Sequence, residues 1–196
     1  PIVFHREMRD QIAARHRAEN DTTKWLTTGM VIFMLGLFKK VILADPIGLY
    51  ADITFARHLD ITMLEAWAGG IAFMLQLYFD FSGYSDMAVG LGLIFGFRLP
   101  ANFKRPYRQT NMIEFWKTWH ITMTRFFMIH VFTPISLSLT RRYGHSAHPI
   151  RFLATVAIPI FFTFTVSGLW HGASWSFVMF GVLVAIFLMV NHLWRQ

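Results

Sequence analysis

The carboxyl-terminal part of the chain contains forty residues, from Phe152 to Asn191, with a single ionisable side chain, His171. A helix of that length would extend about 60 Å, whereas the hydrocarbon core of a bilayer is about 30 Å thick. The segment therefore predicts two membrane spans. Two glycines and a serine flank His171 at the midpoint, so we expect this histidine at a hairpin tip or in a re-entrant turn at membrane depth.

The composition of the whole chain agrees with a membrane protein. Of its 196 residues, 55% are hydrophobic and 15% are charged, and the mean hydropathy is +0.43. A soluble domain has about a quarter of its residues charged. The net charge is +7. In a membrane protein, an excess of basic residues first marks the loops that stay cytoplasmic, so we do not take this charge as a sign of nucleic-acid binding and expect no nucleic acid as a partner. These features predict an all-α, polytopic integral membrane protein and exclude disordered chains and secreted scaffolds.

The amino-terminal half alternates charged and apolar segments. Residues 1–24 carry five basic and four acidic side chains and are expected outside the bilayer. The apolar run Trp25–Phe38 ends at Lys39 and Lys40, which predicts either a tilted span with snorkelling lysines or a partly inserted helix that breaks at Pro46. No signal peptide is visible, and we expect a piece of a longer polypeptide that lacks spans at one or both ends.

The next apolar run, Met63–Phe79, leads into a polar stretch from Asp80 to Asp86, where we expect a turn. The two carboxylates could orient a histidine, pair with arginine, or cap the next helix together with Ser82. Beyond them, the spacing of Gly92 and Gly96 predicts close helix packing.

Three further segments follow. Residues 98–108 contain four basic and no acidic side chains, which predicts a cytoplasmic loop. An aromatic helix is expected from Ile113 to Val131, too polar to face lipid along its length. Arg141, Arg142 and Arg151 mark a second basic loop.

Two histidines are the candidate catalytic residues. An ionisable residue within a membrane is a functional candidate by default, and the neutral imidazole of His171 could accept a proton from a hydroxyl. A capping or packing role for His171 is the alternative. His120 is expected on one helix face with Trp116, Trp119 and Met123, a stripe that is also typical of packing or of a membrane-interface belt.

Other catalytic patterns are weak or absent. His5 and Asp10 have the H-x-x-x-x-D spacing of glycerolipid acyltransferases, which arises easily in a charged segment. His145 and His148 have loose metal-ligand spacing without an evident third ligand, so no metal site is predicted. The chain has no Cys, which excludes disulfides and a cysteine acyl-enzyme. There is no G-x-S-x-G, P-loop, G-x-G-x-x-G or H-E-x-x-H motif.

An ordered series of sequence blocks resembles the membrane-bound O-acyltransferase family. Within it, the similarity is to the branch of the alginate O-acetyltransferase membrane subunit and the teichoic acid D-alanine transfer protein. The blocks are Pro1-Ile-Val, Gly36–Lys40 with Ala44-Asp45, Tyr78–Ala88, Gly96–Phe103 with Arg105–Tyr107, Glu114–Thr122 and Gly168–Ala173.

The resemblance implies a single domain of this family over residues 1–196, folded as part of a helical bundle in which two histidines face each other. His171 matches the family's catalytic histidine and His120 its second functional histidine. The supporting or substrate-binding residues would be Asp80, Ser82, Tyr84, Asp86, Trp119, Trp170 and Arg105. No tightly bound cofactor is implied.

The implied reaction moves an acyl group, expected to be acetyl, from cytoplasmic acetyl-CoA or another acyl thioester to hydroxyls of an extracytoplasmic polysaccharide. The resemblance also implies a bacterial inner-membrane location and a periplasmic acetyltransferase partner. Between Arg125 and Ser136 the chain departs from the Arg-Asp-Tyr and Pro-Leu-Gly-Gly pattern of many members, which leaves the acceptor open. Direct transfer and an acyl-enzyme on Ser, Thr or His also remain open.

Two rival functions are considered. The first is a transporter or channel subunit in which the same histidines relay protons, although no internal inverted symmetry is visible. The second is a structural remnant or an assembly partner without activity of its own.

Overall fold

The computed structural model describes residues 1–15, 22–57 and 59–195, which form helices and connecting turns without any strand. Residues 16–21, part of the charged segment expected outside the bilayer, lie outside the described residues. The chain forms two compact units, residues Pro1–Asn102 and Phe103–Gln196. Three of the described helices are long and apolar enough to cross a membrane: Thr22–Ala56, His148–His171 and Trp175–Trp194.

The described residues of the amino-terminal unit form four α-helices: α1 (His5–Arg15), α2 (Thr22–Phe38), α3 (Asp45–Ala56) and α4 (Met63–Ile94). A π-helical turn, Lys39–Ala44, joins α2 to α3 without a break, so the second of the two alternatives, a helix that breaks at Pro46, is wrong. Pro46 lies in the first turn of α3, and the wide turn before it lets the backbone N–H of Asp45 donate to the carbonyl of Lys40. This pattern accommodates the proline ring and its missing N–H.

Helix α4 runs unbroken through the polar stretch in which a turn was expected. A capping box between Thr62 and Glu65 fixes its first turn. Ser82, Gly83 and Ser85 are buried, and these small side chains allow close packing. Packing outweighs the low helix propensity of glycine and serine here, which is why the turn prediction is wrong.

Two glycine pairs bring α4 against α2. A Cβ on Gly83 would lie 2.7 Å from the carbonyl oxygen of Gly36, and one on Gly90 would lie 2.6 Å from that of Gly29. The predicted packing pair was Gly92 and Gly96, and it is wrong. Gly96 lies in the turn after α4 with φ of 80°, and Gly92 faces Leu99 in the segment that follows.

Up to residue 195, where the described part of the chain ends, the carboxyl-terminal unit forms six α-helices: α5 (Met112–Thr118), α6 (Ile121–Phe127), α7 (Thr133–Tyr143), α8 (His148–Phe152), α9 (Ile158–His171) and α10 (Trp175–Trp194). Trp116 lies in the core of this unit with Ile160, Val184, Ala185 and Leu188. Further π-helical turns, Met128–Phe132 and Leu153–Ala157, precede α7 and α9.

Two predictions for this unit are corrected. The single helix expected from Ile113 to Val131 is broken between α5 and α6, because His120 adopts a left-handed backbone conformation with φ of 43°. The second basic segment is largely helical: Arg141 and Arg142 belong to the last turn of α7, and Arg151 belongs to α8. Basic side chains near helix ends are compatible with the helix dipole, so their clustering does not require a loop.

The predicted hairpin at the carboxyl-terminal end is confirmed. Helices α9 and α10 meet at a short turn, and His171 is the last residue of α9. Gly168 and Gly181 lie where the helices touch, since a Cβ on either would overlap the backbone of the other helix.

Candidate active site

The break between α5 and α6 places a buried histidine, His120, between the two helices. Asn111 begins α5 by accepting a hydrogen bond from the backbone N–H of Glu114, and α5 ends one residue before Trp119. His120 then takes the left-handed conformation, which is uncommon outside glycine. Only 5% of its surface is exposed, and its carbonyl accepts from Thr124 to begin α6. The local fold therefore holds a buried imidazole at a sharp corner of the backbone.

His171 occupies the end of α9, and its side chain is exposed in this unit. Two phenylalanines of α10 flank the ring: Phe177 is stacked with ring planes 26° apart at 6.2 Å between centroids, and Phe180 is edge-on at 6.3 Å. Gly172 follows in an extended conformation that continues into the hairpin turn. His171 is thus held by aromatic contacts while remaining accessible.

Trp170 connects the two histidines. Its indole lies edge-on to His171 at 5.1 Å between ring centroids, and it is tilted against His120 at 6.5 Å. Phe127 of α6 contacts the same indole at 6.3 Å. Three residues that the sequence singled out therefore form one cluster, with His120 buried and His171 at the accessible side.

Burial determines the protonation of His120. Desolvation, followed by the nearby His171, lowers the pKa of His120 to about 4. His120 lies outside the three helices that could cross a membrane. At neutral pH its imidazole is uncharged, with one ring nitrogen that donates and one that accepts a hydrogen bond.

The aromatic stripe predicted around His120 is divided between two environments. The backbone break means that Trp116, Trp119, His120 and Met123 do not share one helix face. Trp116 is a core residue, in edge contact with Phe164. Trp119 packs against Phe115, Phe103 and Tyr107 at centroid distances of 5.6, 5.1 and 6.0 Å.

In the sequence, Arg105 lies between Phe103 and Tyr107, two members of this aromatic cluster. Its backbone is also left-handed, with φ of 52°, and its side chain is exposed. It lines an open cavity described below, together with other residues of the carboxyl-terminal unit.

The remaining predicted site residues lie in the amino-terminal unit. Asp80 pairs with Lys40 at 2.8 Å, and Asp86 pairs with Lys39. Ion pairing was one of the expected roles of these carboxylates, but the expected partner was arginine and the observed partners are lysines. Capping is wrong, because both residues lie inside the continuous helix α4.

Ser82 and Tyr84 differ in exposure. Ser82 is 1% exposed, and its Oγ has no hydrogen-bond partner among the described residues. Tyr84 is 61% exposed and stacks on Phe81.

Sequence reasoning missed the lysines as partners of the aspartates. Lys40 also pairs with Asp45, at 2.7 Å. Two adjacent lysines within a run that could cross a membrane require acidic partners, and this was the available signal.

The fold and the histidine cluster together define a helical membrane protein with three candidate spans and with two histidines beside one tryptophan. The family model of MBOAT, the membrane-bound O-acyltransferase family, matches residues 1–196. The chain belongs to this family.

Curated relatives agree with the assignment. The chain is 36% identical over 192 residues to a peptidoglycan O-acetyltransferase of Helicobacter pylori, covering 98% of the chain and 34% of the relative. It is 37% identical over 195 residues to a probable alginate O-acetylase of Azotobacter vinelandii, covering 100% and 36%. A teichoic acid D-alanyltransferase of Bacillus subtilis is 28% identical over 167 residues, covering 83% and 40%. The chain spans about a third of the length of the first two relatives.

Proposed function

We propose that the protein is an O-acyltransferase that moves an acetyl group from a cytoplasmic thioester to hydroxyls of an extracytoplasmic polysaccharide. The observation that carries the proposal is the contact of His120 and His171 with the same indole, Trp170, in a chain of this family. Two relatives named as O-acetyltransferase or O-acetylase support acetyl as the group transferred.

His171 is proposed as the general base. Its accessible imidazole takes the proton of an acceptor hydroxyl while the hydroxyl oxygen attacks the thioester carbonyl carbon. The carbon–sulfur bond then breaks, the thiolate leaves, and the proton on His171 is available to the departing sulfur. Phe177 and Trp170 hold the ring from two sides, which fixes the direction of its nitrogens and contributes to catalysis by orientation.

His120 has a separate role in this proposal. As a neutral imidazole it donates one N–H to the carbonyl oxygen, on which negative charge develops during attack. Burial strengthens this hydrogen bond because the surroundings have a low dielectric constant. An imidazole that stays neutral keeps this donor available across the physiological pH range.

The acceptor is proposed to be a cell-surface polysaccharide, and the location to be the bacterial inner membrane. The names of the relatives include peptidoglycan and alginate as the polymers that they acetylate, and no feature of this chain selects between them. The proposed donor is acetyl-CoA or another acyl thioester, and the proposed partner is a periplasmic acetyltransferase.

The deciding experiment measures O-acetylation of cell-surface polysaccharide by the full-length protein, comparing wild type with His171→Ala at matched membrane expression. Loss of ester-linked acetate in the variant is the expected result. His145→Ala is the matched control, since His145 is an exposed histidine in the turn between α7 and α8. Unchanged acetylation in His171→Ala would contradict the catalytic role and return His171 to packing.

The transporter alternative has no support from the relatives described above, all of which are acyltransferases by name. A proton relay through the histidines would also predict proton flux across vesicles containing the protein. Measuring that flux in wild type and His171→Ala separates the two functions.

A further inference from the structure

An open cavity of about 670 Å³ in the carboxyl-terminal unit is lined by three cationic side chains and no acidic one. The lining residues are Lys104, Arg105, Arg108, Gln109 and Thr118. The lining residues lie on the short stretch between Phe103 and the end of α5, and none of them takes part in the tryptophan–histidine contacts described above.

The three cations have no carboxylate partner within 4.0 Å in the described part of the chain. Elsewhere in that part, Lys39, Lys40 and Lys117 each form an ion pair with an aspartate or glutamate. Three like charges around one concavity repel each other, and this repulsion is relieved when an anion binds between them. The charge pattern therefore favours an anionic ligand.

The backbone around the cavity is fixed by specific contacts. The N–H of Lys104 donates to the carbonyl of Thr118 at 3.0 Å, and Gln109 Nε2 donates to the carbonyl of Arg105 at 3.2 Å. Pro106, which follows Arg105, is fully buried. These contacts tie the basic stretch to α5 and hold the three cations around one space.

The backbone of Arg105 is in a strained conformation. Its φ of 52° and ψ of 56° are unfavourable for a residue with a side chain, and more so before a proline, which favours an extended conformation. Strained backbone of this kind persists only where the surroundings determine it, and it is concentrated at functional sites. In this conformation Arg105 lines the same cavity as Lys104 and Arg108.

We infer that this cavity, the basic cradle, binds a phosphate ester group. Arginine forms paired hydrogen bonds to phosphate oxygens, and lysine adds a mobile positive charge. Two sources carry this chemistry: the phosphates of a nucleotide-bearing thioester donor and the headgroup phosphate of an anionic lipid. The link to the donor rests on the proposed function, whereas the binding of phosphate does not.

The position of the cradle suits a donor site. Thr118 lines the cavity and is separated from His120 by Trp119 alone. Trp119 in turn packs on Phe103 and Tyr107, which flank the basic residues in sequence. Phosphates held in the cradle would anchor a donor beside the chain segment that carries His120.

The test measures binding to the full-length protein in phosphate-free maltoside micelles. Desulfo-coenzyme A, which has the phosphates but no thiol, is one probe, and a short-chain phosphatidylglycerol is the other. Lys104→Gln/Arg108→Gln removes two charges from the cradle. Arg141→Gln/Arg142→Gln removes the same charge from exposed positions on α7 and serves as the control. Thermal unfolding of each variant verifies that the fold is retained.

The expected result is at least tenfold weaker binding of one or both probes by the cradle variant, with the control within twofold of wild type. Loss confined to desulfo-coenzyme A identifies a donor site, and loss confined to phosphatidylglycerol identifies a lipid site. The inference is overturned if wild type binds neither probe, or if the cradle variant binds both as tightly as wild type. Binding is measured without acyl transfer, so the binding result can be interpreted even if the proposed activity is not found.

Discussion

Phe177 stacks on the imidazole of His171, and its ring occupies space that a side chain at residue 172 would need. A Cβ on Gly172 would lie 2.6 Å from Cε2 of Phe177, well inside van der Waals contact. The backbone of Gly172 is extended, with φ of 167°, so another residue could adopt it without strain. The requirement for glycine at this position is therefore steric, and it bears on the orientation of His171.

Gly172→Ala tests this requirement. The added methyl group displaces the Phe177 ring and releases one side of His171, so we expect acyl transfer to fall about tenfold or more, mainly in kcat. The measurement is the rate of polysaccharide acetylation in membranes at matched expression. Gly70→Ala is the control, since a Cβ there meets no atom within 4 Å. Equal rates for the two variants would exclude an orienting role for Phe177.

The lowered pKa of His120 predicts a defined pH dependence of stability. Its pKa is about 4 in the folded protein and about 6.5 when unfolded, so acid protonates the unfolded state first. The contribution of neutral His120 to stability is complete above pH 6.5 and is lost progressively as the pH falls to about 4. We expect the stability of wild type relative to His120→Gln to decline over this range in detergent unfolding experiments. A difference that stays constant between pH 7 and pH 4 would contradict burial of a neutral imidazole.

The ion pair between Lys39 and Asp86 predicts coupling between the two long helical segments of the amino-terminal unit. Asp86→Asn leaves the lysine charge without its partner within a possible membrane span, and Lys39→Met leaves the aspartate. Each single change is expected to destabilise by about 1–2 kcal/mol, a value reduced for the partial exposure of both side chains. Lys39→Met/Asp86→Asn should cost less than the sum of the two single changes, because no charge is left alone.

Unfolding in mixed micelles measures all members of this cycle. Asp52→Asn on α3 is the control, because Asp52 is exposed and makes no ion pair within 4.0 Å in the described part of the chain. Additive single and double effects would show that the pair is not coupled.

The glycine contact between α2 and α4 predicts a steric limit at residue 83. In Gly83→Val the new side chain would meet the carbonyl oxygen of Gly36, which is backbone and cannot move aside as a flexible side chain could. We expect destabilisation of about 1–3 kcal/mol despite the small gain in helix propensity when valine replaces glycine. Gly70→Val on the same helix is the control, because it makes the same change in helix propensity but its new side chain begins in open space. Equal melting temperatures for the two variants would show that the helices do not approach at these glycines.

The sequence predicted the parts of this protein that depend on local composition. The forty residues around His171 indicated two spans, and two helices there are long and apolar enough to cross a membrane, His148–His171 and Trp175–Trp194, with His171 at the hairpin. The basic stretch at residues 98–108 was also expected to be non-helical, and apart from a single 3-10 turn, Pro106–Arg108, it is. In both cases, the physical signal is contained in consecutive residues.

The predictions that failed depend on contacts between distant residues. A polar stretch at Asp80–Asp86 resembles a turn until Lys39, Lys40 and Gly36 pack against it and make the continuous helix favourable. The left-handed conformation of His120 has no local signal, since nothing in Trp-His-Ile requires a helix to stop. The two-histidine cluster itself depended on the family resemblance, because Trp170 joins residues about fifty positions apart.

Each π-helical turn in the described part of the chain ends just before a helix with proline at its second residue: Pro46, Pro134 and Pro159. A π turn holds one residue more than an α turn, so the helix beyond it is rotated by about 100° relative to an uninterrupted α-helix. The side-chain faces before and after each π turn are therefore offset by about this angle. A single continuous helix can in this way pack one face against its neighbours before the π turn and a different face after it.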